Sequence, residues 1–186
     1  MRGRHPLPDL WLLSDERNDA GLEAALAALP SGSGFVFRHY HLPSGERLAR
    51  FRTLRRICRA RGHLAILADS ALTALEWGAD GLYGAPLMLG PRRAGLLTIA
   101  TAHDLREVAR ANLMGADAVM LSPVFPTRSH PGARVLGPVR FRLLARRARM
   151  TVIALGGMDA GLARRLDWRR WAAIDGLSTG ERGRNS

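Results

Sequence analysis

The chain has 186 residues, 47% apolar and 24% charged, a composition that supports one buried core and excludes wholesale disorder. Its formal net charge of +12 rests on 28 basic residues, all arginine, so neither a Schiff-base lysine nor a phosphate-loop lysine exists in it. No run approaches the roughly 18 apolar residues of a membrane helix, and Met1-Arg2-Gly3-Arg4-His5-Pro6 leads straight into a strand-like segment, so a cytoplasmic protein is expected, with residues 1–186 as one domain.

In chain order, short β-rich runs alternate with segments of helical period. A strand over 10–13 precedes a helix over 21–29, and Ser31-Gly32-Ser33-Gly34 turns the chain into a strand over 35–39. A helix over 45–61, a strand over 64–68, a helix over 71–77 and a strand over 81–83 follow. Pro86, Gly90, Pro91 and Gly95 then leave no room for a long helix before the strand over 97–100. The remainder reads as helix 105–114, strand 118–121, helix 138–147, strand 151–155, helix 160–166 and strand 173–177, with 178–186 too short for a full closing helix. Gly62, Gly78 and Gly115 stand where three of these helices should stop.

Eight strands in strict alternation with helices predict an α/β fold, a shortened (β/α)8 TIM-type barrel with a reduced fourth helix and no closing helix. Such a barrel is bare on one or two sides, where a second copy of the chain, in a homo-oligomer, would find a surface to cover. Cys58 has no disulfide partner and shares a helical stripe with Ile57, which makes it a core filler. The arginines are spread over several helices without an aromatic strand-binding platform, so no specific nucleic-acid partner is expected, and none in a membrane.

Barrel active sites lie at the carboxyl ends of the strands. Read off in order, those ends carry Ser14 and Asp15, then Arg38, His39 and His41, then Asp69, Thr101 with His103, and Ser122. Thr127, Arg128, Ser129 and His130 follow the sixth strand, Gly156 and Gly157 the seventh, and Gly176 and Ser178 the eighth. Recurrent polarity at one end of so many strands points to a pocket. Gly156-Gly157 behind the run Val152-Ile153-Ala154-Leu155 would let backbone N–H groups approach a phosphate, with Gly176 and Ser178 as companions; the same pair serves equally as a tight turn.

Ser122-Pro123-Val124-Phe125-Pro126-Thr127 and Val152-Ile153-Ala154-Leu155-Gly156-Gly157-Met158, with Gly78-Ala79-Asp80-Gly81 and the opening strand ending in Asp15, resemble the thiamine phosphate synthase and thiazole tautomerase family over nearly the whole chain. The resemblance implies an enzyme of thiamine biosynthesis, a transferase that couples a pyrimidine diphosphate to a thiazole phosphate and releases pyrophosphate with Mg2+. Phosphorylated thiazole and pyrimidine molecules are then its binding partners. Matched residue by residue, it implies catalytic roles for Arg38 and Thr101, and it points by position to His103 and His130. Thr127, Ser129, Gly156, Gly157, Gly176 and Ser178 would bind substrate, and Asp69 would bind metal.

The departures gather at the pyrophosphate end. Val36 replaces a pyrimidine-binding glutamine, Tyr40 and His130 replace two lysines, Ala68 replaces an asparagine, and the second metal aspartate has no counterpart near Gly84-Ala85-Pro86. Asp69 alone would hold Mg2+ weakly, so slow synthase chemistry is expected. The tautomerase alternative needs a histidine where Pro123 stands. A third reading is a non-catalytic barrel that binds thiazole phosphate or thiamine phosphate.

Overall fold

A computed structural model describes residues 7–127, 132, 134–175 and 177. Eight parallel strands close into a barrel in sequence order: β1 Leu10–Leu13, β2 Gly34–Phe37, β3 Leu64–Leu67, β4 Gly81–Gly84, β5 Leu97–Ala102, β6 Ala118–Leu121, β7 Thr151–Leu155 and β8 Trp171–Ala173. Between them lie α1 Leu22–Ala28, α2 Ser44–Arg61, α3 Ala71–Trp77, the single turn α4 Pro86–Leu89, α5 Leu105–Met114, α6 Gly137–Ala145 and α7 Ala160–Leu166. The reduced fourth helix is as expected; the expected lack of a closing helix falls on residues outside those described.

Alternation along each strand divides the core in two. Trp11, Leu13, Val36, Ile66, Tyr83, Ile99, Met120, Ile153 and Ala172 fill the barrel interior. Leu12, Phe35, Phe37, Leu67, Leu82, Val119, Leu121 and Ala154 face outward beneath the helices and pack on Leu26, Phe51, Leu54, Val108 and Phe141. The helix ends follow local chemistry. Ser70, Asp104 and Asp159 accept backbone N–H bonds at the starts of α3, α5 and α7, while Gly62, Gly78 and Gly115 stop α2, α3 and α5 in the left-handed conformation.

The structure departs from the sequence reading in several places: β2 ends at Phe37 and not at residue 39, and β5 runs on to Ala102 and not only to residue 100. The eighth strand runs over Trp171–Ala173 and not 173–177, because register with Leu10, Trp11 and Leu12 on one side and Ala154 and Leu155 on the other fixes those residues, and Ile174 and Asp175 then bend away. Ile174 therefore packs against the interior cluster from beyond its strand. Between β1 and α1 a 3-10 turn, Glu16–Gly21, is closed by reciprocal bonds between Asp15 and Asn18, a capping box written openly as Asp-x-x-Asn.

Trp11 is fully buried and its indole Nε1 donates to the Pro8 carbonyl at 2.9 Å. It lies over Gly34 of the neighbouring strand so closely that any Cβ there would overlap the ring. We predict that Gly34→Ala lowers the unfolding free energy by about 1–3 kcal/mol in urea denaturation, the usual cost of overpacking. Gly45→Ala, at a helical position with open space around it, should leave stability unchanged or raise it by about 0.5–1 kcal/mol.

Candidate active site

The interior-facing positions of the strands, continued upward, bring Asp15, Arg38, Thr101, Ser122 and Gly157 to one end of the barrel. At the β1–β2 corner the Arg38 backbone N–H donates to Ser14 Oγ (2.8 Å), its Nε donates to the Ser14 carbonyl (2.7 Å), and its Nη2 meets Asp15 Oδ2 (3.0 Å). The guanidinium is thus clamped on one edge, while Nη1 has no partner among the described residues.

Behind Arg38 a buried relay fixes this corner. His39 takes the left-handed backbone conformation, with φ 34°, which drives its ring inward. Its Nδ1 lies 2.8 Å from Ser14 Oγ and its Nε2 2.7 Å from Asp19 Oδ1, and the ring stacks on Phe37. Arg50 donates from Nε to the same Asp19 oxygen (2.7 Å) and from its terminal nitrogens to Glu23. With Ser14 fully buried, this Ser-His-Asp sequence is inaccessible to a substrate carbonyl and serves to hold Arg38. Burial pushes the His39 pKa below its ordinary value, outweighing the pull of Asp19, so the ring is neutral, with Nε2–H donating to Asp19 and Nδ1 accepting from Ser14.

At the end of β3, Asp69 is engaged through both oxygens. Oδ1 accepts the Ser70 N–H at 2.7 Å, and Oδ2 receives Arg47 Nη1. Arg47 is only 8% exposed; its Nη2 donates to the Arg38 and Ala68 carbonyls, each at 2.9 Å, and its Nε to the Arg38 carbonyl at 3.1 Å. The guanidinium carbon sits 5.5–5.8 Å from the ring centres of Phe37, Tyr40 and Trp77. Burial opposes ionisation of Asp69, but the Ser70 N–H and the Arg47 cation outweigh it and hold the carboxyl below its usual range.

Thr101 lies inside β5, one residue before its end, at the interior-facing level next above Ile99. His103 is turned outward: its side chain is 56% exposed, and Glu107 on the first turn of α5 accepts from its backbone N–H (2.6 Å) and contacts Nδ1 (2.9 Å). The structure thus separates His103 from the Arg38 corner and ties it to a helix start.

The β6 and β7 ends are joined. The N–H of Val124 donates to the Leu155 carbonyl (2.9 Å) and that of Phe125 to the Gly156 carbonyl (3.0 Å). Gly156 and Gly157 both have positive φ, 91° and 63°. A Cβ on Gly156 would lie 2.6 Å from the Pro123 Cα, and one on Gly157 would collide with the Pro126 carbonyl and Phe125. Glycine is therefore required here by contact with the Pro-Val-Phe-Pro segment, which carries Thr127 to the same end of the barrel. Ser129, His130, Gly176 and Ser178, and Arg128 beside them, lie outside the described residues.

Sequence reading placed Arg38, Asp69, Thr101, Thr127, Gly156 and Gly157 at the strand ends but passed over Arg47 and Asp19. Arg47 had left a signal: positions 47, 51, 54 and 58 form one buried stripe of α2, shared with Phe51, Leu54 and Cys58, and a cation in such a stripe needs a buried partner. Asp19 sits in a turn that gave no periodicity to read. Tyr83, on the interior side of β4, was also unassigned; burial pushes its phenol up to about 12.

Because the folded pKa of His39 lies below its unfolded value, the unfolded chain takes up the proton first as pH falls. The stability from the neutral ring is complete above about pH 6.5 and is lost as pH drops through the folded pKa. His63, depressed in the same direction by burial, acts alike. Urea titrations between neutral pH and pH 5 should show stability falling with pH, and His39→Gln should flatten that slope while lowering stability at neutral pH by about 1–3 kcal/mol.

The family described as thiamine monophosphate synthase matches residues 10–167. Thiamine-phosphate synthase from Chromobacterium violaceum is 35% identical over 160 residues, 81% of this chain and 77% of that protein. Thiamine-phosphate synthase from Pyrococcus furiosus is 29% identical over 161 residues, 83% and 78% of the two chains. Among solved structures, thiamine phosphate pyrophosphorylase from Pyrococcus furiosus superimposes with a TM-score of 0.77 at 25% identity, over 93% of this chain and 88% of that one. FabK from Thermotoga maritima, at 16% identity and a TM-score of 0.68, shares the fold. A closed eight-strand barrel, the joined Pro-Val-Phe-Pro-Thr and Gly-Gly segments and these relatives together make the chain a member of the thiamine phosphate synthase family.

Proposed function

We propose that this chain is a cytoplasmic enzyme that couples a pyrimidine diphosphate to a thiazole phosphate, with Arg38 as the cation that meets the departing pyrophosphate. In this reaction the bond between the pyrimidine methylene carbon and the diphosphate oxygen breaks, with the electron pair leaving on pyrophosphate. The thiazole nitrogen lone pair forms the new carbon–nitrogen bond. A developing diphosphate anion is stabilised by donors already aimed at it. Arg38 supplies such donors, because Ser14 and Asp15 hold one edge of its guanidinium and leave Nη1 available. The Thr101 hydroxyl is placed to add a further donor, and the Thr127–Gly156–Gly157 corner is the proposed seat of the thiazole phosphate. Ser129, Gly176 and Ser178 are proposed by their position in the sequence to bind substrate, and His130 to act in catalysis.

The donor set does not fit Mg2+. Both oxygens of Asp69 are engaged, and no group of three His, Cys, Asp or Glu side chains that could hold a metal occurs among the described residues. Loss of one preorganised electrostatic group costs about 3 kcal/mol of barrier, so turnover about a hundredfold slower than in relatives with the full ligand set follows. The engaged Asp69 also favours a second reading, a barrel that binds thiazole phosphate or thiamine phosphate without coupling chemistry.

The single observation that carries the proposal is the clamped Arg38. Incubation of the purified protein with both substrates should yield thiamine phosphate slowly, and Arg38→Met should lower kcat by about a hundredfold while the protein stays folded, at a stability cost of about 1–3 kcal/mol for the lost Ser14 and Asp15 bonds. Binding of thiazole phosphate by calorimetry without any product would support the binding-barrel reading instead. Absence of both product and binding would refute the site.

A further inference from the structure

The stripe of α2 that carries Phe51, Leu54 and Cys58 into the core carries Arg47 as well, one turn from the helix start and directly beneath the ends of β2 and β3. A guanidinium in such a place must be compensated for lost hydration, and here the compensation is nearly complete. Three of its bonds go to two backbone carbonyls, of Arg38 and Ala68, and a fourth goes to Asp69. Three aromatic rings flank it, and the backbone N–H of Ser70 takes the other oxygen of Asp69.

We propose that Arg47 is a resident cation that substitutes for a divalent metal at this end of the barrel: it neutralises Asp69, closes the carboxylate to metal and leaves Arg38, among the described residues, as the cation that meets the pyrophosphate. The inference rests on reading this end of the barrel as the family's substrate site, but its test does not depend on turnover. A metal would have to displace a guanidinium held by three further bonds to backbone carbonyls, and Mg2+ gives up its water reluctantly for a single carboxylate. Guanidinium, in contrast, is more weakly hydrated, always charged and shaped to satisfy several oxygens at once, which suits it to a buried position between two strand ends. The exchange also has a structural yield, because one side chain fastens β2 to β3 where a bound metal would fasten only its own ligands.

The test uses Mn2+ as the probe and the full chain labelled with 15N. Selective paramagnetic broadening of the Ala68 and Ser70 amide signals reports metal at Asp69 even when binding is weak. Wild-type protein should show no selective broadening there. Arg47→Met, which keeps an unbranched chain among the aromatic rings, should show it at Mn2+ concentrations at least about tenfold lower than any seen for wild type, and Arg47→Met with Asp69→Asn should abolish it. Arg47→Gln, which retains an N–H donor for the carbonyl oxygens and removes the charge, replaces the methionine variant if that variant does not fold. Selective broadening in wild type that Asp69→Asn removes would overturn the proposal, as would a folded Arg47 variant that stays silent.

Discussion

The architecture of the mouth depends on one buried side chain. Arg47 bonds to the carbonyl oxygens of Arg38 and Ala68, the residues that leave β2 and β3, and to the carboxylate that follows them. Breaking it would leave the Arg38 and Ala68 carbonyls without this donor and the Asp69 carboxylate without its cation, which costs more than the net worth of the bonds themselves. Because Arg38 supplies both the carbonyl that Arg47 holds and the guanidinium that faces the site, the packing of α2 and the aim of Arg38 are mechanically one problem.

The opposite edge of Arg38 is fixed by the first strand. Ser14 accepts from its backbone, His39 braces Ser14, Asp19 braces His39, and Arg50 returns the connection to α2. Arg38 is thus held between two sets of contacts that both originate on α2, at Arg47 and at Arg50, three residues apart and on adjoining faces of the helix. Preorganisation of this kind lets a single arginine act on developing charge without reorienting during the reaction. On the far side of the barrel the glycine pair performs the matching task by absence of side chain, allowing the β6 and β7 loops to touch.

Much of this was legible in the sequence. Alternating apolar runs and glycine stops placed seven of the eight strands to within two residues at either end, because in a barrel both strand faces are buried and the pattern is strong. The eighth strand was misplaced because the apolar run Trp171-Ala172-Ala173-Ile174 continues past the point where its partners end, and only register with β1 and β7 shows where pairing stops. Site residues at strand ends could be named because topology places them there. Their connections could not: the Arg47–Asp69 pair joins positions 22 apart and the His39–Asp19 bond positions 20 apart, and composition gives no reason to pair them. His103 shows the converse, a residue correctly located at a strand end whose side chain a local Glu107 turns outward.

A mouth organised by arginine makes a direct structural claim. Crystals of the protein grown with pyrophosphate and MnCl2, measured for anomalous scattering at the manganese edge, test it at the atoms concerned. Pyrophosphate oxygens should lie within hydrogen-bond distance of the Arg38 guanidinium, with no anomalous peak against Asp69 and the Arg47 pair intact. A manganese ion ligated by Asp69, with Arg47 swung away from it, would contradict that claim.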